Sequence, residues 1–238
     1  MTNATWMYNR YAYHPAPGSP LWVSLEQAMA ARGVPVSSTA GCLDANSTTA
    51  CSSIDEAAVQ AAVAAADVIV FCVGTGEKVE SEVVDHGIGA TLALPGQQGR
   101  LIEMGLAAKG KGKRVVVLLF TTSPKKGPWM AGANAVMQCN YPQSGGAAAI
   151  ADTLLGRVSP GGRLPLSWPK HWCCDMEPAG PNGRTRGRCE ILPAKLLGSN
   201  LTYRYGSSDN VLFPFGYGLG SRTWGLQNAF PACFPEKE

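Results

Sequence analysis

The sequence predicts an α/β fold, a three-layer sandwich with a mostly parallel central sheet and helices on both faces. Three observations carry that expectation. Short apolar runs of strand length recur, as in Asp67–Val73, Arg114–Thr121 and Ala135–Cys139. Segments with helical spacing separate them. The connections are brief and rich in Gly, Pro and Asn. Strand–helix alternation with short loops calls for crossover connections, and therefore for parallel strands covered on both sides.

The elements follow in order. Pro17-Gly18-Ser19-Pro20 precedes a helix over Leu21–Arg32, with Leu21, Val23, Leu25, Ala28 and Met29 on its apolar positions. Gly33 stops it, and Val34–Val36 reads as a short strand. Ser52 or Ser53 is placed to cap a helix over Ile54–Ala66, whose first turn holds Asp55 and Glu56 against the helix dipole. Asp67–Val73 is continuously apolar, as a strand buried on both faces would be. A helix over Pro95–Ala108 leads through Gly110 and Gly112 into the strand Arg114–Thr121. Pro128-Trp129-Met130 begins a turn or short helix, and Ala135–Cys139 is the next strand. Gly145-Gly146 opens a helix over Ala147–Leu155, and Gly156 closes it.

The last third changes character. Gly161–Trp168 reads as an edge strand entered by a tight turn, residues 169–200 have no periodicity, and Phe213–Leu219 is a compact aromatic turn. The expected division is a core over 1–168, an irregular cysteine-containing insertion over 169–200, and a C-terminal turn segment over 201–238 packing on the core.

Composition narrows the function classes. The chain has 238 residues, 45% of them apolar and 16% charged, with a formal net charge of +3. That is too little positive charge to argue for nucleic acid, and the basic residues are scattered apart from Lys109, Lys111, Lys113 and Arg114, which read as a solvated turn. No run of eighteen apolar residues is present to span a membrane. With three histidines and no cysteine pair at zinc-finger spacing, neither a metal nor a cofactor is expected.

Cys42 and Cys51 bracket a polar loop and fit a loop-closing disulfide, whereas Cys72 and Cys139 lie in apolar strand patterns and are expected to be free and buried. Cys173, Cys174, Cys189 and Cys233 sit in the Gly/Pro-rich C-terminal third, where cross-links would restrain the unfolded chain. Asn3, Asn46 and Asn200 begin glycosylation sequons, with Asn46 inside the Cys42–Cys51 loop. Sequons and cysteines together favour secretion, and the polar and aromatic residues after Met1 are not a signal peptide, so the chain is expected to derive from a longer precursor.

The chemistry concentrates between residues 76 and 98. Glu77, Glu80, Glu82 and Asp85 follow directly on the strand Asp67–Val73. The space beyond the carboxyl ends of parallel strands is where open α/β sheets place their sites. Desolvation and like-charge neighbours raise a carboxyl's pKa, and Glu82 so placed can serve as a general acid. Asp85-His86 fits a loop-shaping ion pair, and a solvated acidic loop is the plainer reading of the whole stretch. Ser144 and Ser167 lie in no nucleophile elbow, and Gly74-Thr75-Gly76 lacks the third glycine of a dinucleotide turn. Trp129, Trp168, Trp172 and Tyr141 could stack on sugar rings or pack in the core. Gly145-Gly146 could present a helix N-terminus to a ligand or simply allow a tight turn.

Six stretches in order over nearly the whole chain resemble the C-terminal α/β sandwich domain of glycoside hydrolase family 3, the β-glucosidases and β-xylosidases. They are Ala65–Gly74, Glu80–Asp85, Leu92–Gln98, Tyr141–Gly146 with Ala149–Asp152, Pro160–Trp168 and Phe213–Leu219. Asn3-Ala4-Thr5 and Gly41-Cys42 are most similar to the β-xylosidase-like branch.

The resemblance implies a division of labour. An N-terminal (β/α)8-type barrel, in the same precursor or a companion chain, would carry the aspartate nucleophile and most sugar-binding residues. This domain would contribute a loop with the acid/base glutamate, at the place of Glu82, for retaining hydrolysis of a β-linked sugar. Glu80, Asp85 and His86 would bind substrate or shape that loop. Three departures stand out. His86 replaces the family's arginine after Asp85, exchanging a permanent cation for a titratable one. Thr122-Ser123-Pro124-Lys125-Lys126 replaces a Gly-Gly-Pro turn. The domain's first strand is expected to be missing, which would leave a sheet edge or gap. The departures leave a rival open, a non-catalytic structural or carbohydrate-binding component of an extracellular assembly.

Overall fold

The sheet is built around β2 (Arg114–Phe120), which lies between β1 (Val68–Gly74) and β3 (Ala135–Gln138), all parallel. The structure, a computed structural model, describes residues 23–44, 51–76, 92–109, 112–170 and 208–220. β1 and β2 pair from Val68↔Arg114 to Gly74↔Phe120, and β2 and β3 from Val116↔Ala135 to Leu119↔Gln138. Side chains alternate across a strand, so consecutive β2 residues serve opposite cores. Val115, Val117 and Leu119 pack with Val59, Val63, Leu101, Ile102 and Trp129. Leu118 and Phe120 pack with Leu25, Ala28, Ala147, Ile150 and Ala151. Helices therefore cover β2 on both faces, which explains why its sequence is apolar without alternation.

The helices begin where local chemistry lets them. In α1 (Leu25–Ala30) the Ser24 hydroxyl accepts from the Gln27 amide and the Gln27 side chain accepts from the Ser24 amide, a reciprocal capping box. The α2 helix (Glu56–Ala65) is capped by Asp55, not by Ser52 or Ser53, through a carboxylate that accepts from Ala58 N at 3.0 Å. Ser52 is engaged elsewhere: its amide and hydroxyl donate to Asp44. Those donors hold the Asp44 carboxyl below the usual carboxylate range, the hydroxyl being the larger cause. The expected Cys42–Cys51 disulfide is present, with Cα atoms 5.2 Å apart. The α3 (Gln98–Ala107), α4 (Trp129–Gly132) and α5 (Gly146–Leu154) helices follow the predicted order with ends moved by up to three residues. Gly33 and Gly156, at φ +77° and +69°, terminate α1 and α5 as glycine can.

Arg32 staples α1 to α5. Its Nε and Nη2 each donate to Asp152 at 2.7 Å, while Nη1 and Nη2 reach the Ala28 and Ala148 carbonyls. The fork matches a carboxylate in two places at once, so the pair fixes direction as well as distance.

Three expectations need correction. Val34–Val36 is not a strand, because no described strand lies beside it to supply a ladder. β1 is not buried throughout: Val68 and Val70 are 53% and 37% exposed, since its outer edge has no strand neighbour among the described residues. The edge strand expected over Gly161–Trp168 contracts to β4 (Trp168–Pro169), antiparallel to β5 (Val211–Phe213). Leu164 instead exchanges backbone bonds with Gly216 and Tyr217, and Phe213 packs against the core. There Trp168 meets Phe213 edge-on at 5.9 Å and Phe213 stacks on Tyr217 at 4.8 Å.

Candidate active site at the carboxyl ends of the strands

β1 and β2 end side by side, and the chain leaves β1 through Gly74-Thr75-Gly76 toward the acidic stretch. It returns at Leu92. Glu80, Glu82, Asp85 and His86 lie outside the described residues, as do Asn3, Asn46, Asn200, Trp172 and the cysteines beyond Cys139. What the structure builds is the frame from which that stretch departs and to which it returns.

The outgoing end is clamped. The Gln98 amide is buried at the first turn of α3, and its Oε1 accepts from Gly74 N at 2.7 Å while its Nε2 donates to Gly74 O at 2.8 Å. Gln98 thus pairs with the backbone as another strand would. Gly74 has no room for a side chain, because a Cβ there would stand 2.2 Å from the Phe120 carbonyl oxygen. One residue on, Thr75 N donates to Phe120 O at 3.1 Å. Tyr141, from the end of β3, donates its hydroxyl to Thr75 O at 3.0 Å, and the two hydroxyls are 3.1 Å apart. The end of β1 is therefore fastened to β2, α3 and the loop after β3.

The returning end is anchored as firmly. Leu92 and Leu94 are buried, and Leu92 O accepts from Lys126 N at 2.6 Å. The Thr122–Lys126 turn is thereby part of this frame. Thr121 Oγ1 donates to Ser123 O at 2.9 Å, Lys125 is fully buried, and Lys126 Nζ donates to the Lys170 carbonyl. Lys125 is thus not a surface charge added to a loop, whereas Lys126 is half-exposed and makes its bond at the surface. Gln138 closes the rim from β3, donating to Thr121 O and to Asn140 Oδ1.

Other candidates resolve as structural. Trp129 and Trp168 are 2% and 5% exposed, so they are core rather than sugar platforms. A Cβ on Gly146 would stand 2.4 Å from Pro142, so the glycine admits the turn rather than a ligand. Cys72 and Cys139 are free but only half-buried as residues, and desolvation raises both thiols, Cys139 to about 12, so neither ionises near neutral pH. The Gln98 clamp and the Thr75–Tyr141 pair were missed by sequence reasoning. No local pattern of the sequence marks either residue as an anchor, because both contacts are long-range.

Comparison with known proteins decides the family. The glycosyl hydrolase family 3 C-terminal domain matches residues 5–221. The chain belongs to that family. Relatives of this family 3 domain include a β-glucosidase of Rhizobium radiobacter, 34% identical over 67% of this chain and 19% of its own length. A β-D-xylosidase 1 of Arabidopsis thaliana is 31% identical over 70% of this chain and 20% of its own. Among solved structures, a β-glucosidase from Kluyveromyces marxianus in complex with glucose is 27% identical over 72% of this chain and 20% of that one, with a TM-score of 0.53. A GH3 exo-β-xylosidase covers 92% of this chain and 26% of its own at TM-score 0.67, and at 24% identity it speaks for the fold alone. The domain spans about a fifth of the curated relatives it matches.

Proposed function

We propose that this family 3 domain is the acid/base-bearing part of a secreted β-glycosidase of the xylosidase or glucosidase type, complete only together with a barrel domain. The observation that supports the reading most is the double anchoring of residues 77–91. Gln98 and Tyr141 fasten one end and Lys126 the other, at the carboxyl ends of β1 and β2. A general acid must be held near its proton-accepting atom, and a stretch fixed at both ends restricts where its carboxyl can lie.

In this reading Glu82 protonates the leaving oxygen while an aspartate of the barrel attacks the anomeric carbon; Glu82 then takes a proton from the incoming water. Glu80, Asp85 and His86 hold the loop and the sugar. The domain is a three-layer sandwich whose missing first strand belongs beside β1, with residues 169–200 as an insertion and 201–238 as a returning segment. Secretion through a precursor accords with the Cys42–Cys51 disulfide, a bond that persists in oxidising compartments. Asn3, Asn46 and Asn200 are then available for glycosylation.

The test is turnover of β-xylosides and β-glucosides. The 238-residue chain alone is expected to be inactive, because one carboxylate cannot act as nucleophile and acid at once. Joined to its barrel it should turn over, and Glu82→Gln should lower kcat on unactivated glycosides by about 10²–10⁴-fold. The loss should shrink on aryl glycosides with strongly acidic leaving groups, which need no proton in the first step. Activity of the isolated chain that Glu82→Gln abolishes would sink this reading. Binding without turnover in the joined protein would favour the rival carbohydrate-binding role, which the exchange of arginine for His86 supports.

A further inference from the structure

The Cys42–Cys51 loop is closed by more than its disulfide. Its limbs pair: Leu43 N donates to Ser53 O at 3.1 Å, Asp55 N donates to Gly41 O at 3.0 Å, and Cys42 bridges Ile54 between them. The Asp44 carboxylate accepts from the Ser52 amide and hydroxyl across the same loop. Cys51 is 2% exposed and sits at φ +65°, a left-handed conformation that residues other than glycine keep only where their surroundings impose it. The bond to Cys42 and the paired limbs impose it here.

This closed loop holds the starts of two helices. Asp55, whose amide it engages, caps α2. Gln97, the residue before α3, donates its amide to Cys51 O at 2.8 Å and its Nε2 to Ser52 O. Gln97 gives α3 no side-chain cap. The first amides of a helix have no intrahelical partner, so an uncapped start takes its position from what touches it outside. Gly41 touches α3 as well: a Cβ there would stand 2.6 Å from Leu101 Cδ1, one turn on from Gln98. Gly41 also lines a cleft of about 210 Å³ along the outer edge of β1, which Leu25 and Met29 of α1 line too. The loop therefore spans from the edge of the sheet to the helix that carries Gln98.

We propose that the Cys42–Cys51 loop, acting through Gln97, is a positioning brace for the candidate site. It sets the first turn of α3, and with it the buried Gln98 amide that holds both backbone groups of Gly74. Both ends of that amide are engaged, so Gln98 cannot re-aim when its helix turn shifts without losing a buried bond. A shift of the turn is passed to Gly74, the end of β1 from which residues 77–91 depart. A displaced general acid slows a reaction only where a proton must be delivered. This role rests on the acid/base reading of that stretch.

Two variants of the natural polypeptide at full length test it, Cys42→Ser/Cys51→Ser and Gln97→Ala, each compared with the parent and with Glu82→Gln. The Gly74 amide should exchange faster in both, about 10-fold in the double serine variant, while amides in the middle of β2 keep their rates. On unactivated glycosides kcat should fall roughly 10-fold in the double variant with KM little changed, and less in Gln97→Ala, which keeps its backbone bond to Cys51. On aryl glycosides with strongly acidic leaving groups kcat should stay within about twofold of the parent. Gly74 exchange unchanged in both variants would overturn the brace. So would equal losses on both kinds of glycoside, which mark a structural role alone. Gln97→Ala keeps the test decisive if the double variant does not fold. An inert Glu82→Gln would sink the acid/base reading instead, and Gly74 exchange would still decide whether the loop holds the end of β1.

Discussion

β1 and β2 are adjacent seven-residue strands of nearly the same composition, and they end up in different surroundings. In β2 every residue from Val117 to Phe120 is fully buried. In β1 the residues that face the second core come out exposed or half-buried, at Val68, Val70 and Cys72. Sequence propensity cannot account for the contrast. It arises from position, since among the described residues β2 has a strand on each side and β1 has one. The pair teaches that a doubly covered strand pattern records what a strand is made to be packed against, whether or not all of it is beside the strand.

Truncation should separate the two strands most sharply. Phe120→Ala removes a fully buried ring from β2 and should cost about 3–5 kcal/mol in denaturant unfolding of this chain. Val70→Ala on β1 should change stability by no more than about 0.5 kcal/mol in the same chain, as a surface change does. Comparable losses at both positions would break the comparison, because β1 would then be covered as β2 is.

The carboxyl ends of the two strands come next. Gln98→Ala strips Gly74 of partners for its N–H and C=O, both buried, and should cost about 2–4 kcal/mol. Its mark should be local. Hydrogen exchange ought to quicken at Gly74 and Thr75 more than in the middle of β2. A uniform acceleration would mean that the clamp supports the whole sheet rather than the frame of the candidate site.

How much of this was legible in the sequence follows from the range of the interactions. β2 and α5 were readable because apolar runs and terminal glycines are local signals. The role of Asp55 as cap was narrowly missed, since serines and aspartate all suit the position and only Asp44 decides that Ser52 is occupied. Val34–Val36 was misread because a strand exists only beside another strand. For the site, the acidic stretch and its place after β1 were visible, and the resemblance singled out Glu82. Gln98 and Tyr141 were not visible as anchors: the contacts join residues 24 and 66 positions apart, and no periodicity encodes that. Buried Lys125 was hidden for the same reason, as its sequence context is that of a surface turn.

The open side of β1 has its own restraints. Cys42–Cys51 closes a loop of nine positions next to Ile54, which Cys42 bridges. Replacing both cysteines by serine should cost about 2–3 kcal/mol, mainly by freeing the unfolded chain. Because Gly41 lines the cleft beside β1, the loss should be accompanied by faster exchange in residues 51–55 and unchanged exchange in β2. Global loosening of β2 instead would show that the two sides of β1 are not separable.

The smallest effect belongs to the staple that holds α1 over the cleft. Arg32 lowers the Asp152 carboxyl below its usual range, mainly by its two hydrogen bonds and then by its charge. A depressed folded-state pKa means that the unfolded chain binds the proton more readily. The stabilisation is thus fully present above the ordinary aspartate value of about 3.9 and is lost as pH falls through the lower folded value. Asp44, lowered by Ser52, acts in the same direction, so the wild-type acid slope contains both. Asp152→Asn should flatten the acid side of the stability curve without moving the neutral plateau of β2 exchange. The change should concentrate in α1 and α5, the helices that the pair joins. An Asp152→Asn chain with an unaltered acid slope would show that Arg32 orients the helices by packing alone, and that the wall of the cleft beside β1 is held without its charge.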